Sequence, residues 1–277
     1  MRRARLLAVV ERELDTVVRT RSYAVVAVGF VLVLLGLAWQ GGLTGYVPLA
    51  LDLLTPLEAL VPVLAVGLGY RAVLGDLQRG EVAVLRTFPV SRGEYVLGVY
   101  LGRAVVVLAI VVVPLLIAGG LVGVVGGAKT SVVASYGGAD SPVLFVRFVA
   151  LTAVFALVVL AVAVAASAAA TSLRAAVALA VVVVVALVVG LDLGVVAALS
   201  SGAVGDRALG WLLGISPASA YRGLVLQTVV GPVSATDVPS ANVPASLLGL
   251  AVWLAGALGA AVLTVWPAPG TGVRRPG

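Results

Sequence analysis

YVLGVYLGRAVVVLAIVVVPLLIA, residues 95–118, carries a single charged side chain, Arg103, in a run otherwise almost wholly of Val, Leu, Ile, Ala and Gly. It lacks the alternating polar positions of a barrel strand, and it exceeds the ~20 residues a helix needs to cross ~30 Å of hydrocarbon. Backbone groups in lipid find no water, so a segment of this kind crosses as a helix. Five further runs read the same way: 23–39, 56–74, 142–170, 173–199 and 245–266. The expected fold is an all-α polytopic membrane protein with six transmembrane helices, one transmembrane domain over residues 1–277. Thr171 and Ser172 alone separate the fourth and fifth runs, which predicts a tight helical hairpin there.

The composition agrees with this reading. Apolar residues make up 62% of the chain and charged ones 11%, against roughly 45–50% and about 25% in soluble domains. A soluble enzyme, a disordered chain and a nucleic-acid binder are excluded. The chain has no Cys and no His, and its one Met is Met1. A disulfide, a zinc site, a Cys nucleophile, a haem His and a Ser–His dyad are therefore impossible within it. Asp192 sits in Gly190-Leu191-Asp192-Leu193, not in the Gly-x-Gly-Asp of intramembrane aspartyl proteases. No catalytic residue, metal ligand or cofactor is expected.

The 18 basic residues set the expected orientation. Only Lys129, Arg147, Arg207 and Arg222 fall on the side opposite the N-terminus, and the other fourteen lie on its own side. The positive-inside bias then predicts both termini in the cytoplasm. Residues 1–21 place Leu6, Leu7, Val10, Leu14, Val17 and Val18 on one helical face, with Arg, Glu and Asp on the rest. This predicts an amphipathic helix lying on the membrane surface. The run at 23–39 has no small-x-small cleavage site after it and reads as a retained anchor.

Local signals mark helix starts. Thr55-Pro56-Leu57-Glu58 and Ser91-Arg92-Gly93-Glu94 both read as capping boxes, and Ser141-Pro142 as a cap followed by a first-turn proline. On this reading Glu58 is a cap. Pro114 removes a backbone hydrogen bond inside the third run. Asp52 and Asp192 lie near the ends of their runs, as solvated interfacial carboxylates or as a polar lining of an outer exit. Residues 200–243 form the longest outer segment, with an apolar stretch from Ala208 to Ile215.

The inner segment 75–94 is short, charged and patterned. A helix from Arg79 to Thr87 must stop before Pro89, and a new one restarts at Ser91. Val84, Leu85, Phe88 and Val90 gain nothing from facing water there, so this knob is expected to meet a partner.

Three stretches resemble the permease subunits of ABC type 2 transporters, most closely the permease of the nitrous oxide reductase maturation system, which handles copper. Glu11-Arg12-Glu13-Leu14 with Arg19-Thr20-Arg21 is similar to that family's N-terminal elbow helix. Arg79-Gly80-Glu81 to Leu85, with Pro89-Val90-Ser91-Arg92 to Gly98, is similar to its inner loop. Ser216-Pro217-Ala218-Ser219-Ala220-Tyr221-Arg222 is similar to an outer segment. Val99 stands where the family often has Lys, and Arg86 interrupts a common Leu pair.

The resemblance implies a membrane-spanning permease, an exporter in the plasma membrane, with ATP hydrolysed by a separate cytoplasmic ATPase subunit. It implies that Arg79, Gly80, Glu81, Leu85, Phe88, Pro89, Val90, Ser91 and Arg92 seat the chain on that ATPase. A homodimer, or a pair with a second permease, would complete the pathway. A secondary transporter and a non-transporting membrane scaffold share the hydropathy. The first would add buried ion-binding carboxylates or repeats, and the second gives no reason for the inner loop.

Overall fold

The computed structural model describes residues 2–81, 90–125, 140–200, 211, 214–233 and 242–265. Among these the chain is helical, with no strand. Helix α1 (Arg2–Arg19) is followed by α2 (Arg21–Gln40), α3 (Tyr46–Gly69), the short α4 (Leu74–Gln78) and α5 (Arg92–Val125). Then come α6 (Pro142–Ala169), α7 (Leu173–Val185), a π-helical turn (Ala186–Gly190) and α8 (Leu191–Ser200). Last are α9 (Pro217–Val225), a second π-helical turn (Leu226–Val230) and α10 (Val243–Thr264). Six segments are long and apolar enough to cross a bilayer. The chain is a multi-pass membrane protein.

Helix α6 is the hub. It packs against α3, α5, α9 and α10, and Phe148, Phe155, Val159 and Leu160 along it are fully buried. Apolar residues on the bundle's outside, such as Val25, Val28 and Leu32 on α2, stay exposed. In a bilayer these faces meet lipid tails, which are as apolar as they are.

The ends of the helices show what the sequence signals were worth. Ser91 and Glu94 form the reciprocal box: the Ser91 N–H donates to Glu94 Oε2 at 2.8 Å, and the Glu94 N–H to Ser91 Oγ at 3.2 Å. Ser141 caps α6 by accepting from the Val143 N–H. The box at Thr55–Glu58 does not exist. Helix α3 begins at Tyr46 and runs through Pro56 and Pro62. Its first N–H groups, Tyr46 and Val47, donate to Asp140 at 2.7 and 3.0 Å. A carboxylate far along the chain does the capping, so the helix starts ten residues before the local signal. Glu58 therefore sits about 18 Å into α3, at 1.5 Å per residue, rather than at its start.

Helix α1 also differs from the simple picture. Leu7 is 61% exposed, as a lipid-facing residue should be. Val9 and Glu13, on roughly the opposite face, are buried against α5. The face that reads as water-facing in sequence is docked on protein. Gly102 of α5 makes this possible: a Cβ there would lie 2.5 Å from Glu13 Cβ and 3.1 Å from the Val10 carbonyl oxygen. Overpacking of this kind costs about 1–3 kcal/mol, more than the ~1 kcal/mol that Ala gains over Gly in a helix. Gly102→Ala is thus expected to loosen α1, read as faster proteolysis between α1 and α2 in detergent. Unchanged cleavage would mean that α1 shifts at no cost.

Candidate functional site

Two polar clusters interrupt the apolar bundle. The first lies where α1, α4 and α5 meet, the basal end of the bundle. Ser167 of α6 fixes α4 by accepting from the Val73 and Leu74 N–H groups at 3.0 and 3.2 Å. That places Asp76, 2% exposed, at the centre of the cluster. Its carboxylate accepts from Arg12 Nη2 at 2.5 Å, Arg79 Nη2 at 2.6 Å and the Tyr95 hydroxyl at 2.7 Å. Arg12 also reaches Glu13 at 3.0 Å and Glu81 at 2.9 Å. Arg103, itself buried, donates to Glu13 Oε2 at 3.2 Å and to the Leu68 carbonyl at the end of α3.

The electrostatics rank these contacts. The Arg79–Glu81 pair, at 2.5 Å, joins side chains that are 53% and 38% exposed. Exposed pairs contribute roughly 0–1 kcal/mol. Asp76 is different, because losing its partners would leave a buried charge. Burial acts to lower the Arg12 pKa, but the Asp76 carboxylate outweighs it and holds the guanidinium charged above its ordinary range. Burial pushes the Glu13 carboxyl up, against the pull of Arg103. The hydrogen bond to Glu81 raises Arg79.

The inner-loop residues divide across this cluster. Arg79 and Glu81 belong to it, so the Glu81 charge is already taken by Arg12 and Arg79 rather than left free. Gly80 adopts φ +73°, a left-handed turn that favours glycine, and it redirects the chain after α4. Val90 is half-buried against the bundle core instead of lying exposed. Ser91 and Arg92 begin α5. Leu85, Phe88 and Pro89 lie outside the described residues.

The second cluster lies within the bundle. Glu58 of α3 is 4% exposed and accepts from Arg222 of α9, Nε to Oε1 at 2.7 Å and Nη2 to Oε2, a two-pronged pair. Asp192, in the first turn of α8, accepts from Ser216 Oγ at 2.6 Å and Ser219 Oγ at 2.7 Å, at the N-terminus of α9. Tyr221 stacks on Phe155 with ring centroids 4.8 Å apart and shares a 2.8 Å hydrogen bond with Thr152. Helix α9 is thus tied to α3, α6 and α8, with a π-helical turn directly after it and another directly before α8. Such turns are frequent at functional sites. Asp52 is not part of this cluster; it is exposed and lies beside Gly41 at the α2–α3 turn.

Sequence reading missed the Glu58–Arg222 pair and the Asp76 hub, since both join residues far apart in the chain. Ser216-Pro217, the same Ser-Pro form as at the start of α6, caps α9 and is a local signal that could have marked its start. Nothing local showed that α9 would be buried in the bundle, and much of the expected outer segment, including most of Ala208–Ile215, lies outside the described residues. Among the described residues no group of His, Cys, Asp and Glu side chains is placed to hold a metal ion.

Residues 7–265 match the family described as ABC-2 family transporter protein. The chain belongs to this family. A probable ABC transporter permease protein NosY of Pseudomonas aeruginosa is 30% identical over 267 residues, covering 90% of this chain and 94% of that protein. A protein of the same description from Stutzerimonas stutzeri is 29% identical over 258 residues, covering 89% and 90%. The chain is a membrane-spanning permease subunit of an ABC transporter, and its family implies an ATPase partner subunit. In a bacterium the membrane of such a permease is the plasma membrane.

Proposed function

We propose that the permease exports its substrate, that its basal end faces the cytoplasm, and that the segment 79–92 seats it on the ATPase. The permease itself catalyses nothing. The observation that supports this most is the Asp76 hub. It binds the entry to that segment, Arg79, to the surface helix α1 through Arg12 and to α5 through Tyr95. A push on the segment therefore reaches three helices at once. On this reading Glu81 positions the knob, and Leu85 and Phe88 supply its apolar anchor. The two polar clusters are about 15 Å apart along α3, taken from Leu68 to Glu58 at 1.5 Å per residue. Asp192, with Glu58 and Arg222, would line the path beyond, and two copies of the permease would enclose it.

The test is a Glu81→Ala, Leu85→Ala double variant, assayed by pull-down of the neighbouring ATPase and by ATP hydrolysis in nanodiscs. Complex formation is expected to weaken at least about tenfold, an energy of roughly 1.4 kcal/mol, while insertion stays normal. Complex yield and hydrolysis both equal to wild type would place the ATPase contact elsewhere.

A further inference from the structure

We propose that the basal cluster has a second use: a crevice beside it binds a phosphate anion, supplied by the headgroup of an anionic membrane lipid. The crevice encloses about 160 Å³ between α1 and the end of α3. Arg71, Arg79 and Arg103 line it, together with Thr20, Tyr23 and Tyr70. Glu13 and Asp76 line it too, but their charges are already answered. Asp76 accepts three hydrogen bonds, and Glu13 accepts one each from Arg12 and Arg103.

Charge balance points to an anion. Four guanidinium groups, Arg12, Arg71, Arg79 and Arg103, meet the three carboxylates of Glu13, Asp76 and Glu81. Arg71 is the surplus cation: it is exposed and forms no ion pair among the described residues. Depth points to a lipid. The apolar span of α2 starts at Tyr23, and α3 ends at Gly69 just before Tyr70 and Arg71. Tyr and Arg at such ends sit at headgroup level, and basic pockets between spans take anionic headgroups. Exposed Val25, Val28 and Leu32 give the acyl chains an apolar surface along α2. A lipid held here would brace α1 against α3. The proposal does not depend on where the ATPase docks.

The experiment reconstitutes the permease in an equimolar mixture of phosphatidylglycerol and phosphatidylcholine, extracts it mildly, and counts retained lipids by native mass spectrometry. Wild type is expected to retain phosphatidylglycerol in preference, and millimolar inorganic phosphate is expected not to displace it. One Arg near a lipid phosphate is worth roughly a fivefold preference. Arg71→Gln should lose about that factor and Arg71→Glu more, while Arg147→Gln on α6, outside the crevice, should lose none. The Arg71 side chain makes no hydrogen bond or ion pair among the described residues, so both Arg71 variants are expected to fold, which their melting temperatures check. Displacement by inorganic phosphate would overturn the lipid as the source. Equal retention of the two lipids, or a preference unchanged in both Arg71 variants, would overturn the site itself.

Discussion

Replacing Asp76 with Ala is expected to be the most damaging single change at the basal end. The substitution leaves the Arg12 guanidinium, the Tyr95 hydroxyl and Arg79 without the carboxylate that all three share. Tyr95 is fully buried and Arg12 partly so. Breaking a buried ionic contact by removing one partner costs about 3–5 kcal/mol. The half-exposed Arg79 can turn to water and adds little. Asp76→Asn should cost less, since an amide oxygen still accepts from one or two of these donors. Melting temperatures in detergent check the order: wild type highest, then Asn, then Ala. Combining Asp76→Ala with Arg12→Ala should cost less than the sum of the single changes, because the two share one interaction. Additive losses would mean that the hub is not a unit.

The contrast between Ser91 and Asp76 explains how much of this protein its sequence reveals. Six apolar runs are legible because hydropathy is a local property and the bilayer sets the length. Ser91 and Glu94 are three residues apart, so their box is visible in the sequence and is present in the structure. Thr55 and Glu58 present the same spacing, yet the helix passes straight through them. The decision there belongs to Asp140, a group from another part of the chain. In the same way Asp76 looks like one charged residue of a loop, and only folding brings Arg12 to it. The polar face of α1 could have raised the question, because Glu13 lies where a surface helix would show only water-facing groups. Pairings across the bundle, Glu58 with Arg222 and Asp192 with Ser216, leave no periodic trace in the sequence.

Within the bundle, Arg222→Ala is expected to cost far more than Glu58→Gln, although both break the same pair. The asymmetry follows from burial. The Glu58 side chain is 6% exposed and that of Arg222 is 47% exposed. Removing Arg222 strands a carboxylate that is itself buried, about 18 Å along α3 from its first residue. A cost of about 3 kcal/mol is expected, the low end for a buried pair because the guanidinium was half solvated. Removing the Glu58 charge leaves Arg222, which can turn its free side outward, and an amide that still accepts from it; roughly 1 kcal/mol is expected. The double change Glu58→Leu with Arg222→Met removes both charges and should recover most of the stability, as apolar replacements of buried ion pairs often do. Melting temperatures give the order, and a larger loss for Glu58→Gln than for Arg222→Ala would show that burial does not govern the pair. ATP hydrolysis by the assembled transporter supplies the functional half of the comparison. If α9 must part from α3 during each cycle, the stable double variant should fold and bind the ATPase, yet change turnover. Wild-type turnover in that variant would make the pair a structural contact and leave the pathway to other residues.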